Sequence, residues 1–376
     1  MGEDDDLKVL VVDDSALYRK IIQDILGEIP GTRVVGTAQS GKIALAKIAA
    51  LRPHVLTLDL EMPDMGGLEV LRELPHQAPD VGAIIVSSHT KAGAASTIQA
   101  LELGAFDFVT KPDGRGMADS KERLKVALAP MLEAFDRVRK VRQILKQGRP
   151  AKNDPRQQPL PPRPTRAVPP TTTIRSESRA VAIAVSTGGP AALTRIIPRI
   201  PADIGVPIFI VQHMPAVFTA AFASRLNSIS TLEVLEADDG MPVLPGTVYL
   251  APGGRQMRVR AEAGRAHRVI GITDDPPENN CRPSADYLFR SVAEVYGRCA
   301  TGVIMTGMGS DGTKGLKLMK ARGATIIAQD ESSSIVYSMP KWPVEAGIVD
   351  VVAPLDSIPG EICRTVKSEN LSANPL

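Results

Sequence analysis

The stretch Ala180-Val181-Ala182-Ile183-Ala184-Val185-Ser186-Thr187-Gly188-Gly189-Pro190 decides the fold. Six small, apolar and β-branched residues stop abruptly at a serine, the pattern of a parallel strand buried on both faces. Two glycines then permit a tight turn, and Pro190 suits the first position of a helix. A strand–turn–helix junction of this kind sets Ser186 at the carboxyl end of a sheet, where open α/β folds place their ligands. The backbone N–H groups that follow are free to receive an oxyanion. Read alone, the turn is equally a small-residue βα connection carrying a solvated serine.

Two further stretches decide between those readings. Pro207-Ile208-Phe209-Ile210-Val211 is an apolar strand ending in Gln212-His213-Met214-Pro215, and Thr301-Gly302-Val303-Ile304-Met305 ends in Thr306-Gly307-Met308-Gly309-Ser310-Asp311-Gly312. Each delivers one polar residue of a different kind near its carboxyl end. A histidine after a strand is commonly a bonded loop residue, and an aspartate between glycines is commonly a turn residue. Serine, imidazole and carboxylate at matching topological positions can instead form a nucleophile, a general base and an orienting group. Ser186, His213 and Asp311 are therefore the candidate catalytic residues, and the N–H of Met308, among glycines, is a candidate oxyanion donor. The order Ser, His, Asp and the missing first glycine of G-x-S-x-G set the chain apart from α/β-hydrolases.

The amino-terminal third repeats the β–α alternation five times. Strands around Lys8–Val12, Arg33–Ala38, Val55–Leu58, Ala83–Val86 and Phe106–Thr110 alternate with amphipathic segments, so the sheet is expected to be parallel. The first helix is expected to bury Leu17, Ile21, Ile22, Ile25 and Leu26 on one face. Asp13, Asp14, Asp59, Ser87 and Lys111 each fall at a strand's carboxyl end, hence on one edge. Three carboxylates there repel one another unless a cation intervenes, and such oxygen donors suit Mg²⁺. Lys111 and Ser87 can meet a phosphoryl group. Taken singly, Asp13 or Asp14 reads more readily as a helix cap, and the metal reading rests on all five positions sharing one edge.

Between these halves the periodicity dissolves. A long helix bearing Leu124, Leu128, Met131, Leu132, Phe135 and Val138 gives way to a stretch with eight prolines between Pro150 and Pro170, read as a tether. The basic residues from Arg137 to Arg166 lack aromatic neighbours and read as a solvated helix face and tether, not a nucleic-acid surface. A formal charge of +2 agrees with no nucleic-acid partner. Hydrophobic content of 43% suffices for two cores over 376 residues. Cys281, Cys299 and Cys363 show no paired spacing, which suggests a reducing compartment. With no signal peptide and no apolar run long enough to span a bilayer, a cytoplasmic protein that is not membrane-embedded is expected.

The segment from Lys8 to about Lys140 resembles a response-regulator receiver through Val11-Val12-Asp13-Asp14-Ser15, Leu58-Asp59-Leu60-Glu61-Met62-Pro63-Asp64-Met65-Gly66-Gly67, Val86-Ser87-Ser88 and Thr110-Lys111-Pro112. The resemblance implies Asp59 as phosphoacceptor. It implies Mg²⁺ on Asp13, Asp14, Asp59 and the backbone carbonyl of Glu61, with Ser87 and Lys111 sensing the phosphoryl group and a histidine kinase as phosphodonor. Ala180 to about Lys367 resembles the CheB family of chemotaxis protein-glutamate methylesterases. The matching pieces include Ser186-Thr187-Gly188-Gly189-Pro190, Gln212-His213-Met214-Pro215, Arg282-Pro283-Ser284-Ala285-Asp286 and Met305–Gly312. That likeness implies hydrolysis of glutamyl methyl esters on chemoreceptors, deamidation of receptor glutamines, and a triad of Ser186, His213 and Asp311 with no cofactor in that domain.

The expected fold class is α/β: two doubly wound parallel-sheet domains, a flavodoxin-like receiver and a Rossmann-like methylesterase, joined by a Pro-rich linker. The expected bounds are 6–140 for the receiver, 141–177 for the linker and 178–370 for the catalytic domain. Arg282 is read either as a contact for acidic neighbours of a receptor glutamate or as a structural ion pair. Lys341-Trp342-Pro343 departs from the family's pattern after Met339-Pro340. The alternative function is a degenerate binding module that docks to receptors and keeps its triad as relics. Acyl-phosphonate labelling of Ser186 separates the two.

Overall fold

A computed structural model describes residues 6–111, 117–147, 177–261 and 267–366. The Pro-rich tether expected from the sequence and Pro112 lie outside the described residues.

The first sheet is built from β1 (Leu7–Val12), β2 (Thr32–Ala38), β3 (Val55–Asp59), β4 (Gly82–Ser87) and β5 (Asp107–Thr110), in the order β2-β1-β3-β4-β5. Every pairing is parallel. This is the flavodoxin-like order, with its switch point between β1 and β3. Helices α1 (Ala16–Gly27), α2 (Gly41–Leu51), α3 (Gly67–Gln77), α4 (Lys91–Glu102) and α5 (Met117–Gln147) cover its faces. Ile22, Ile25 and Leu26 are buried as expected, but Leu17 is 54% exposed, because α1 turns it off the core face. Helix α5 runs seven residues beyond the expected bound at 140. Arg139 on it does not belong to a solvated face: it is largely buried and paired with Asp136.

The second sheet holds seven strands, all paired in parallel: β6 (Ala180–Val185), β7 (Ile208–Gln212), β8 (Glu233–Glu236), β9 (Thr247–Leu250), β12 (Ala300–Ile304), β13 (Thr325–Gln329) and β14 (Val351–Ala353). Their order is β14-β13-β12-β6-β7-β9-β8. An antiparallel hairpin, β10 (Gln256–Ala261) and β11 (Arg268–Thr273), stands apart. It is not among the strands expected from the sequence. Helices α6 (Gly189–Ile196), α7 (Ala216–Ile229), α8 (Ala285–Tyr296), α9 (Thr313–Ala321), α10 (Ser338–Glu345) and α11 (Ile358–Val366) complete the layers. All six β6 residues are fully buried, which explains their uniformly apolar character. Pro190 sits in the first turn of α6, where a missing N–H costs nothing.

Two features of this sheet position the site. The chain leaves β6 toward β7 on one side and reaches β12 on the other, so the crevice at the carboxyl ends opens at β6. The register pairs Val185 with Gln212, so Ser186 and His213 are the next residues on adjacent parallel strands.

The two sheets meet through apolar and polar contacts. Phe108 of β5 lies against Phe218 of α7, with ring centroids 4.5 Å apart. Arg225 of α7 grips Glu102 of α4 through Nε at 2.7 Å and Nη2 at 3.0 Å. Met308, Ile335 and Val336 pack against the hydrophobic cluster of the first sheet.

Candidate functional site

The loop after β12 brings Asp311 to His213. His213 Nε2 lies 2.9 Å from Asp311 Oδ2, and both groups are largely buried. Asp311 is held from every side. Its Oδ1 accepts from Asn279 Nδ2 at 2.9 Å, Ser284 Oγ at 2.8 Å and the Asp286 N–H at 3.2 Å; its Oδ2 also accepts the Ala285 N–H at 2.7 Å. The carboxylate therefore caps the amino end of α8, where free N–H groups and the helix dipole favour negative charge. Burial pushes its pKa up, but His213, the Ala285 N–H and Asn279 prevail and hold it at about 2. For His213, burial opposes the charged ring. The bond to Asp311 and the contact with Cys281 outweigh that and raise its pKa to about 9.

Nδ1, the other ring nitrogen, faces Cys281 Sγ at 3.8 Å. Ser186 Oγ makes no hydrogen bond among the described residues. Its backbone is fixed more firmly. The Ser186 N–H donates to Thr306 O at 3.0 Å, and Gln212 Nε2 donates to Ser186 O at 3.1 Å and to His213 O at 3.3 Å. Gln212 thus ties the ends of β6 and β7 together. Gly307 is required by space: a Cβ there would lie 2.8 Å from Ser186 Cβ and 2.3 Å from Met339 Sδ. Its own N–H is used by Val336 O, whereas the N–H groups of Met308 and Thr187 have no partner among the described residues. Helix α10 closes this side. Met339 flanks Ser186, and Trp342, one turn on, is half exposed. Arg282 makes no ion pair among the described residues; its Nη1 reaches only the Asp274 carbonyl, at 3.5 Å.

At the carboxyl edge of the first sheet, Lys111 Nζ lies 2.7 Å from Asp59 Oδ2 and 2.9 Å from Asp13 Oδ2. Burial raises the Asp59 pKa more than Lys111 lowers it, so the carboxylate is strained toward protonation. Burial works against the charge on Lys111, but its two carboxylate partners keep its pKa above the ordinary lysine value. Asp13, Asp14 and Asp59 each offer a carboxylate oxygen, all within 4.8 Å of one another. Asp13 Oδ2 is buried with no well-aligned hydrogen bond. A hard, all-oxygen set of three carboxylates, two of them sharing the one Lys111 cation, fits Mg²⁺. The Glu61 N–H donates to Asp59 Oδ1 at 3.2 Å, which places the Glu61 backbone beside the set. Ser87 is on the same edge, but its hydroxyl accepts from Thr97 Oγ1 at 2.6 Å.

The structure thus brings Ser186, His213 and Asp311 to one crevice, and Asp13, Asp14, Asp59, Ser87 and Lys111 to another edge. Sequence reasoning missed Asn279, Cys281 and the backbone donors of α8. Asn279 adopts a left-handed φ of 51° in an irregular loop, which carries no periodic signal. It also missed Thr187 as the link to the first sheet: Thr187 Oγ1 donates to Asp107 Oδ2.

These two assemblies define a class: a response-regulator receiver sheet followed by a hydrolase-type parallel sheet. Residues 9–119 match the response regulator receiver domain family, and residues 181–362 match the CheB methylesterase family. A protein-glutamate methylesterase/protein-glutamine glutaminase from Desulfotalea psychrophila is 50% identical over 369 residues, covering 96% of this chain and 99% of its own. The protein of the same name from Bacillus subtilis is 42% identical, covering 97% and 100%. The solved CheB methylesterase catalytic domain of Thermotoga maritima is 41% identical and covers 50% of this chain and 99% of its own, with a TM-score of 0.48. The chain belongs to the protein-glutamate methylesterase/protein-glutamine glutaminase family.

Proposed function

We propose that the chain is a phosphorylation-regulated hydrolase that removes methyl esters from glutamyl side chains of chemoreceptors, and deamidates receptor glutamines, in chemotactic adaptation. The observation that carries this reading is the convergence of Ser186, His213 and Asp311 at the switch point of the second sheet.

Asp311 accepts a hydrogen bond from His213 Nε2–H and so fixes the tautomer in which Nδ1 is the free base. Ser186 Oγ attacks the ester carbonyl as Nδ1 takes its proton. The Met308 N–H receives the developing oxyanion. Collapse passes the proton from Nδ1 to the departing methoxide, which leaves as methanol. Water, deprotonated by the same nitrogen, then releases the glutamate and restores Ser186. With a glutamine substrate the leaving group is ammonia.

The receiver regulates this site. Asp59 accepts a phosphoryl group from a histidine kinase. Asp13, Asp14, Asp59 and the Glu61 carbonyl would hold Mg²⁺, which when bound neutralises phosphoryl charge. Lys111 moves from its carboxylates to a phosphoryl oxygen, and Ser87 turns from Thr97 toward it. The contact of Met308 and Thr187 with the receiver supports a closed arrangement that limits access to Ser186. The implied partners, and cysteines that form no disulfide among the described residues, agree with a cytoplasmic setting. No described helix is long and apolar enough to cross a membrane.

The test is release of methanol from methylated receptor-helix fragments, with ammonia from glutamine-bearing fragments followed in the same sample. Wild type should release both, and Ser186→Ala neither, with its fold intact. Retained esterase activity in Ser186→Ala rejects the assignment.

A further inference from the structure

The amino ends of the receiver strands, opposite Asp59, open on a cleft of about 680 Å³, a size typical of small-molecule sites. Phe106 and Phe135 form an apolar wall, and Ile335, reaching across from the second sheet, completes it. Lys8, Arg52 and Arg139 supply positive charge around the rim, against a single lining carboxylate, Asp80. Arg52, exposed at a left-handed φ of 47°, makes no ion pair among the described residues.

One contact in this cleft is mismatched. The Lys8 backbone N–H donates to His54 Nδ1 at 3.0 Å. A backbone N–H can only donate, so Nδ1 is the bare nitrogen and the proton of the neutral ring sits on Nε2. Yet Nε2 faces Arg139 Nη1 at 3.4 Å. Arginine has no acceptor, so two N–H donors confront each other with nothing to accept from either. Protonating the ring does not help, since burial, then Arg139 and Lys8, hold the His54 pKa at about 4 against the opposing pull of Asp136. Arg139 is otherwise committed through Nε and Nη2 to Asp136.

We infer that this cleft is a binding site for a small organic anion, with a phosphate, sulfonate or carboxylate oxygen accepting from both His54 Nε2 and Arg139 Nη1 and a flat apolar body against Phe106, Phe135 and Ile335. The oxygen supplies the acceptor that the donor pair lacks. Ile335 also packs over Gly188 in the turn after Ser186, which makes an occupant of the cleft a neighbour of the catalytic turn at one remove.

The test uses the full chain and 8-anilino-1-naphthalenesulfonate as probe, with uncharged N-phenyl-1-naphthylamine as comparison. Fluorescence titration should give saturable binding of the sulfonate, at least about tenfold tighter than the neutral compound, and about tenfold weaker in Arg139→Gln. Arg52→Asn, which suits the left-handed turn, should weaken it severalfold and decides the matter if Arg139→Gln fails to fold. The His54 imidazole proton resonance, assigned with His54→Gln, should titrate at higher pH with the sulfonate bound. Equal affinity for charged and uncharged probes, equal affinity in wild type and the arginine variants, or a His54 titration unmoved by saturating sulfonate overturns the proposal.

Discussion

Thr187 Oγ1 donates a 2.5 Å hydrogen bond to Asp107 Oδ2, so the residue after the candidate nucleophile is joined to the first residue of the receiver's β5. Burial raises the Asp107 pKa to about 6, against the pull of Thr187 and the Phe108 N–H. A carboxyl whose pKa is raised in the closed arrangement binds its proton more tightly there than when solvated near pH 4. Closure is therefore favoured at low pH and weakens as pH rises through about 6. Small-angle scattering of the unphosphorylated chain should show expansion across that range. In Asp107→Asn, which keeps an acceptor for Thr187 without the charge, the expansion should be absent.

The salt bridge of Arg225 with Glu102 gives a second handle on the same contact. Exposed pairs are worth about 0.2–1 kcal/mol, so Arg225→Glu, which adds repulsion, should raise unphosphorylated esterase activity by about two- to fivefold. Adding Glu102→Arg should return activity toward the wild-type value. Failure of the double variant to recover would separate the effect from this pair.

As the proposed general base, His213 should set the pH dependence of turnover. It must be neutral to accept the serine proton, and its pKa of about 9 means that kcat/KM should rise with pH toward that value. Cys281 contributes to the raised pKa, so Cys281→Ser should move the limb to lower pH while the fold is kept. Asp311→Asn removes the carboxylate that fixes the tautomer and should lower kcat by about 10⁴-fold. Stability runs the opposite way: the raised His213 pKa contributes stability that is fully present below about 6.5 and is lost as pH rises through about 9.

Lys111 compensates two buried carboxylates at once. Lys111→Ala leaves both without a cation and should cost about 3–5 kcal/mol in urea unfolding. Millimolar Mg²⁺ should restore much of that loss, because Asp13, Asp14 and Asp59 can share the ion. Asp59→Asn should abolish activation by a phosphodonor while leaving basal turnover measurable. An equal response in wild type and Asp59→Asn would reject Asp59 as the switch.

Gly307 tests the packing beneath the nucleophile. In Gly307→Ala the new methyl meets Met339 Sδ and Ser186 Cβ, and overpacking of this kind costs about 1–3 kcal/mol. Trimming the sulfur in Gly307→Ala/Met339→Ala should recover stability more than activity, because the clash with Ser186 remains.

The receiver sheet and the central strands β6, β7 and β12 of the second sheet are legible because these strands are short apolar runs that lead into chemically distinct residues, whereas β8, β9, β13 and β14 are not, three of these being only three or four residues long. Period-two and buried-strand patterns carry that information directly, and the carboxyl-end rule then gathers Ser186, His213 and Asp311, or Asp13, Asp59 and Lys111, without knowledge of loops. What surrounds Asp311 was not legible. Asn279 and Cys281 reach it and His213 through a loop with left-handed residues, and the Ala285 and Asp286 N–H groups are side-chain-independent donors. The exposure of Leu17 escaped for a related reason: helical spacing fixes a stripe but not where the stripe ends. The bond from Thr187 to Asp107 spans 80 residues of sequence and two sheets, and no local pattern encodes it.

Trp342 is the chain's one tryptophan and stands half exposed on the helix whose Met339 flanks Ser186. Excitation at the red edge of protein absorbance therefore interrogates a single indole beside the active crevice. Its emission colour and quenching by iodide form a label-free optical gauge of what docks at that crevice, readable in the native chain.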